Sequence, residues 1–183
     1  AVQRGGLAMA WVGWLDPVTE EIVSVARSGC EPGWLKRLAP LSLRGTPRVP
    51  TELALTRGAP YLSNDLQADP ALALIADELA QLNFHSAACF PLRVGQRLVG
   101  SVSLFATEKN FFDRELLDLV TEMVTDVAFA LSNFEKEAQR QLALELLRAS
   151  EEGSRLNSRA VQASANGIMI CEIGSAGLPI IYV

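Results

Sequence analysis

The chain holds 183 residues, 49% of them hydrophobic and 20% charged, the balance of an ordinary globular protein able to bury a real core. A net charge of −5, with no basic cluster and no stripe of interleaved basic and aromatic residues, excludes a nucleic-acid surface. No apolar run reaches the roughly 18 to 20 residues a membrane span needs, and the opening AVQRGGLAMAWVGW lacks the charged head, apolar run and cleavage site of a signal peptide, so the chain reads as cytoplasmic.

Strand-like sequence begins at Leu7. Leu7 to Leu15 and Glu21 to Arg27 flank Asp16-Pro17, a turn starter, and predict a first hairpin with Trp11 and Val12 on opposite faces. Trp14, just before the turn, reads as core. Pro32 to Leu38 predicts a short helix with Trp34, Leu35 and Leu38 inward. Pro40 to Pro50, with three prolines, Gly45 and two arginines, predicts a long irregular connection. Arg44 and Arg48 in it could meet an anionic ligand, although solvated arginines are the simpler reading. Thr51 to Arg57 suits two helical turns stopped by Gly58, and Pro60 to Ser63 a short edge strand. Asn64 and Asp65 suit a turn in which their short side chains bond the following backbone. Asp69 and Pro70 then open a helix whose Leu72, Ile75, Leu79 and Leu82 form an apolar stripe.

Ser86 to Val94 and Arg97 to Ala106 predict a second hairpin, joined by Gly95-Gln96 in the Gly-X pattern of a II′ turn. On its second strand Leu98, Val102 and Leu104 should share a face with Gly100, and Ser101, Ser103, Val99 and Phe105 the other, so the sheet should be covered on both sides. Asp113 predicts a helix N-cap, with Phe112 and Leu117 as a hydrophobic staple. Leu116, Val120, Met123, Val127, Leu131 and Phe134, widened by Leu117, Val124 and Ala128, predict a helix with a broad buried face.

Three stretches together carry a family resemblance. A strand ending in Pro91-Leu92 leads through a tight turn to Val99-Gly100-Ser-Val-Ser-Leu, then to Phe111-Phe112-Asp113 and Glu115-Leu116-Leu117 opening an Ala-rich helix; upstream stand Gly58-Ala-Pro-Tyr-Leu-Ser-Asn-Asp65 and Asp69-Pro70. From Leu7 to Phe134 the chain resembles a GAF domain, which implies an α+β, profilin-like fold: an antiparallel sheet flanked by helices, with a long C-terminal signalling helix. The family usually enters through a helix absent ahead of Leu7, so the chain reads as a fragment of a longer protein. The resemblance implies a ligand pocket between sheet and helices, with Trp34, Tyr61, Asn64, Asp65, Ile75, Leu79, Leu82, Phe84, His85 and Cys89 as candidate walls, each equally able to be plain core or turn. Family members sense nucleotides, bilins, haem or metals, or bind no known ligand, so the cofactor is left unknown and fold alone gives no function.

Beyond Phe134 the sequence FEKEAQRQLALELLRASEE is rich in helix formers, and its apolar set narrows to a stripe that wants a partner helix. Leu131, Phe134, Ala138, Leu142 and Leu146 are the candidate contacts of a homodimer, against a solvated single helix. Gly153 should end or loosen this helix. Residues 158–183 resemble the first helix and two strands of a PAS domain, to be disordered or paired with another chain through their free edges. The predicted organisation is a GAF-like domain over 1–134, a helical linker over 135–157 and the start of a PAS-like domain over 158–183, and the resemblance implies an output such as a histidine kinase or a cyclic-di-GMP enzyme.

Little catalytic chemistry is visible. Cys30, Cys89 and Cys171 have no disulfide or CxxC spacing, and no paired catalytic carboxylates, Ser-His-Asp set, metal-ligand cluster or phosphate-binding glycine loop is present. A thiol enzyme like the free methionine sulfoxide reductases of this fold would need a nucleophilic and a resolving cysteine close together. His85 could be a single axial haem ligand, while the Cys-His pair that commonly attaches a bilin is not matched. Phe111 or Phe112, Asp113 and Glu115 echo only the end of the family's cyclic-nucleotide signature. The leading expectation is a non-enzymatic sensory module with a possible small-molecule ligand; the rivals are a ligand-free dimerisation spacer and, more remotely, a reductase.

Overall fold

The computed structural model describes residues 6–29, 41–163, 170–171 and 180–182. Trp34 and the predicted helix around it, Pro40 and Cys30 lie outside the described residues.

Two hairpins build the sheet. β1 (Leu7–Leu15) and β2 (Ile22–Ser28) are joined by a turn in which the Asp16 carboxylate accepts from the amides of Val18 and Thr19, both at 2.8 Å. β4 (Ser86–Val94) and β5 (Arg97–Ala106) meet at Gly95, whose φ of 61° is the left-handed conformation that the first position of a II′ turn demands. With β3 (Tyr61–Ser63) they form one antiparallel sheet of order β2-β1-β5-β4-β3. β3 sits at an edge, as its preceding proline implies.

Alternation along the central strands sends side chains into two cores. Met9, Trp11, Ala87, Cys89 and Phe105 enter one, beneath α1 (Pro50–Arg57), a 3-10 turn (Pro70–Leu72) and α2 (Ala76–Gln81). Ala88, Phe90, Leu104 and Ala106 enter the other with Phe112 and Val120, under the first turns of α3 (Arg114–Ala163). The sheet is therefore covered on both sides. Leu98 departs from its predicted face: a bulge between Leu92 and Arg93 shifts the register, and Leu98 packs on the first core, away from Val102 and Leu104.

Helix punctuation follows the local signals. Gly58, at φ 62°, ends α1, and Asp113 caps α3 by accepting from the Leu116 amide at 2.8 Å, with Phe112 and Leu117 packed together in the second core. The helix predicted from Asp69 to Leu82 is split in two. β-branched Ile75 leaves helical geometry (φ −122°, ψ 7°), and Leu72, Ile75 and Leu79 are all buried.

In α3 the buried stripe is narrower than its periodicity predicts. Val120 is buried and Leu116, Leu117, Val124, Ala128 and Leu131 are half-buried, whereas Met123, Val127 and Phe134 are exposed, as is Leu119. The sheet is wide enough to cover one flank of that face. Gly153 does not end the helix, which runs on to Ala163, because a mid-helix glycine costs only about 1 kcal/mol among strong helix formers. Two compact units divide the chain, Ala1–Asn133 and Phe134–Val183; in the second, β6 (Ile170–Cys171) and β7 (Ile180–Tyr182) pair antiparallel with each other.

Candidate functional site

The face of the sheet beneath α1, the 3-10 turn and α2 gathers most of the predicted pocket walls. Tyr61, Ile75, Leu79, Phe84 and Cys89 belong to one buried cluster, and Leu82 packs against it half-buried. Phe84 and Phe105 stack tilted with ring centroids 5.1 Å apart.

Polar groups penetrate this apolar cluster. Thr51 on α1 and Ser103 on β5, both fully buried, join hydroxyls at 2.8 Å, and the Cys89 thiol lies 3.9 Å from Thr51 Oγ1. Ser101 is two residues from Ser103 on the same face of β5, and its hydroxyl has no partner among the described residues; the same is true of buried Trp11 Nε1. An orphaned buried donor costs about 1–3 kcal/mol, so both groups call for an acceptor beyond the described residues, such as a ligand or a water.

At the β3 edge, the Tyr61 hydroxyl donates to Asp69 Oδ2 at 2.5 Å and the Arg57 guanidinium lies 5.2 Å from the Tyr61 ring centroid. Burial, then the bond to Asp69, holds the phenol above its ordinary range. Burial alone would raise the Asp69 carboxyl, but the bonds from Tyr61, Ser63 and the Ala71 amide outweigh it and the group is lowered. Burial pushes the Cys89 thiol up to about 11 against weaker opposing bonds from Ser103 and Thr51, so it carries almost no thiolate at neutral pH.

Three predicted wall residues are committed elsewhere. Asn64 does not bond the backbone that follows it: its amide nitrogen donates to the Phe112 carbonyl at 3.0 Å and its oxygen accepts from the Phe112 amide at 3.2 Å, clamping the approach to α3. Asp65 pairs with Lys109 at 2.8 Å, which lowers its pKa. The oxygen of Gln67 accepts from His85 Nδ1 at 2.8 Å, since the Gln67 nitrogen already donates to the Phe84 carbonyl. Arg44 meets Glu20 at 3.2 Å and the Val18 carbonyl at 3.0 Å, bracing the first hairpin.

Glu52 was not singled out from sequence. Its buried carboxylate accepts from the amides of Ser42 (3.1 Å), Arg48 (2.7 Å) and Val49 (3.4 Å), tying the connection over 41–49 to α1. The Val49-Pro50-Thr51-Glu52 run, with Pro at the first helical position and Glu at the third, is half of a capping box and was the available signal. Among the described residues no group of His, Cys, Asp and Glu could hold a metal ion, and no helix is long and apolar enough to cross a membrane.

The comparisons with known proteins agree with this architecture. No curated protein matches the chain. Solved structures that share the fold include the GAF domain of a phosphoenolpyruvate-protein phosphotransferase from Coxiella burnetii (17% identity, 75% of this chain and 79% of that one, TM-score 0.58). Similar too are a domain assigned to a two-component sensor histidine kinase of Sinorhizobium meliloti 1021 (14%, 76% and 89%, TM-score 0.56) and the free methionine-R-sulfoxide reductase of Neisseria meningitidis (17%, 75% and 74%, TM-score 0.57). At such identities these likenesses speak for the fold alone. A model of the GAF domain matches residues 1–132, and with the sheet order and the two-sided packing described above, the chain belongs to the GAF domain family.

Proposed function

We propose that this chain is a sensory GAF module in which a small ligand held against the sheet beneath α1 and α2 biases the packing of α3. The observation that carries the reading is the pair of buried donors with no partner among the described residues, Trp11 Nε1 and Ser101 Oγ, on the face that gathers Tyr61, Phe84 and Cys89. The mechanical route is short. Ala87 and Cys89 touch the first core while Ala88 and Phe90 touch the second, so a shift of β4 on the ligand side is felt under α3. Such coupling requires that α3 have two arrangements close in energy. The regulatory role general to the family supports the reading, as does the fold likeness to a sensor-kinase domain.

The relay continues, in this proposal, through a homodimer of α3 in which Leu131, Phe134, Ala138, Leu142 and Leu146 meet a second copy, to a PAS-like domain beginning near residue 158 and an output such as a histidine kinase or cyclic-di-GMP enzyme. In support, Phe134 is 74% exposed, Leu142 58% and Leu146 65%. Replacing Leu142 and Leu146 by Lys should shift sedimentation to the monomer; unchanged association removes the dimer helix from the proposal.

Native mass spectrometry of freshly purified protein against the same sample denatured tests the sensor. Excess mass lost on denaturation supports it and weighs the ligand; a clean mass, repeated after incubation with cell extract, refutes it. That second result would favour the ligand-free spacer, which the dense packing of Trp11, Phe84 and Phe105 supports. The protonated, buried Cys89 weighs against a reductase. Turnover of free methionine sulfoxide would overturn that judgement.

A further inference from the structure

Four consecutive residues after β3, 64–67, are bonded to two distant places at once. Toward α2, the Leu66 amide donates to the His85 carbonyl at 2.9 Å, Gln67 Nε2 donates to the Phe84 carbonyl at 2.8 Å, and Gln67 Oε1 accepts from His85 Nδ1 at 2.8 Å. Phe84 is itself tied to α2, its amide donating to the Leu79 carbonyl at 2.9 Å. Toward α3, Asn64 clamps Phe112 through both side-chain atoms, its carbonyl accepts from the Asn110 amide at 2.9 Å, and Asp65 pairs with Lys109 at 2.8 Å. Ties from the start of β4 stop short of this point: the His85 amide reaches the Ala106 carbonyl, and Ser86 Oγ reaches the Glu108 carbonyl. Among the described residues, the hydrogen bonds that reach residues 109–112 from elsewhere in the fold come from Asn64 and Asp65. Beside each bonded end lies an asparagine with positive φ, Asn83 (57°) before Phe84 and Asn110 (56°) before Phe111. Asparagine enters and leaves this left-handed region at little cost.

We infer that residues 64–67 are a positioning strap through which the end of α2 sets the start of α3, with Asn110 as the joint that gives. The strap is short and stiff. Asp65, bonded on the α3 side, directly precedes Leu66, bonded on the α2 side, and Leu66 is wholly buried. A shift of about 1 Å at Phe84 and His85 cannot be taken up between neighbouring residues without stretching these bonds past the roughly 3.5 Å at which they fail. The backbone at Asn110 yields instead. It carries with it Phe112, packed with Leu117 in the second core, and Asp113, the cap of α3. This route runs beside the sheet rather than through β4. The inference deepens the sensory reading and rests on it for the source of the movement, a ligand beneath α1 and α2; its test uses no ligand, so strap and sensor stand or fall separately.

The test is hydrogen exchange on the full chain, read at the amides of Leu116 and Leu117, both bonded to Asp113. Gln67→Ala cuts side-chain bonds to Phe84 and His85 only, yet it should speed exchange at Leu116 and Leu117 at least about fivefold. In an Asn64→Ala background, where the strap is already cut on the α3 side, the same substitution should add less than about twofold. Bonds that merely stabilise would behave otherwise: exchange would rise around Phe84 and His85 or throughout the domain, and the two substitutions would add. Asn110→Ala, which burdens the left-handed joint, should also speed exchange at Leu116 and Leu117, and Asn110→Gly should not. If Asn64→Ala does not fold, Asn64→Asp replaces it in the cycle, keeping the bond from the Phe112 amide and losing the one to its carbonyl. Leu116 and Leu117 unmoved by Gln67→Ala, effects that add in the double variant, or Asn110→Ala without effect overturns the inference.

Discussion

Gly100→Ala should unfold this domain's centre more than its single methyl group suggests. A Cβ built at Gly100 falls 2.2 Å from the Gly13 carbonyl oxygen and 3.2 Å from the Trp14 Cα, backbone atoms of β1 that cannot swing aside. Clearing the overlap needs β1 and β5 to part by about 1 Å where Trp14 pairs with Gly100, in the middle of the sheet. Overpacking of this kind costs about 1–3 kcal/mol, more where only backbone can give, against about 0.4–1 kcal/mol gained from a stiffer unfolded chain. The net expectation is a loss of about 2 kcal/mol, or about 4–8 °C in melting temperature for a chain of this size. Gly153→Ala is the internal control: nothing lies within 4 Å of its Cβ, and in a helix interior it should stabilise by about 0.5–1 kcal/mol. Thermal and urea unfolding of both variants decide the matter. A Gly100→Ala protein as stable as wild type would show that β1 and β5 are not held in this register.

Other expectations follow from single side chains. Glu52→Gln trades one accepting oxygen for a donor that opposes the amides of Ser42, Arg48 and Val49, so stability should fall by about 1–3 kcal/mol and trypsin should cut faster at Arg44 and Arg48. Asn64→Ala removes both bonds to Phe112 and should cost about 1–3 kcal/mol, with faster amide exchange confined to the first turn of α3. The Cys89 thiol, raised to about 11, favours the folded chain below pH about 9, and that contribution is lost as pH rises through about 11. At ~1.4 kcal/mol per unit, wild-type stability between pH 8 and 11 should fall by about 2–3 kcal/mol more than that of Cys89→Ala, by urea unfolding; parallel curves would refute the burial.

What could be foreseen divides by the distance over which residues interact. Asp16, Gly58, Gly95 and Asp113 each act on backbone within three residues, and the turns and caps they announce are present. Asn64 acts on Phe112, 48 residues away, and Thr51 on Ser103, 52 away; no local pattern encodes such partners. Leu98 changed faces because a bulge adds a residue to one strand and reverses the alternation beyond it, and a bulge leaves only a faint trace in composition. In α3 periodicity located the apolar face correctly, but it cannot say how much of that face the sheet is broad enough to cover. The candidate site shows the same division: apolar Tyr61, Ile75, Leu79, Phe84 and Cys89 converge, while polar Asn64, Asp65 and His85 are drawn off by partners that only the fold supplies.

The place of β1 in the sheet has a consequence for how the protein is made. β1 leaves the ribosome before the other strands of its sheet, yet one of its two neighbours, β5, is about 90 residues further on, with Leu7 paired to Ala106 and Trp14 to Gly100. At about 5–20 residues per second the hairpin of β1 and β2 must wait roughly 5–20 s with an open strand edge and both Met9 and Trp11 uncovered. Nascent chains of this protein should therefore be caught by chaperones while residues 16–99 are being synthesised, and released once β5 closes the sheet.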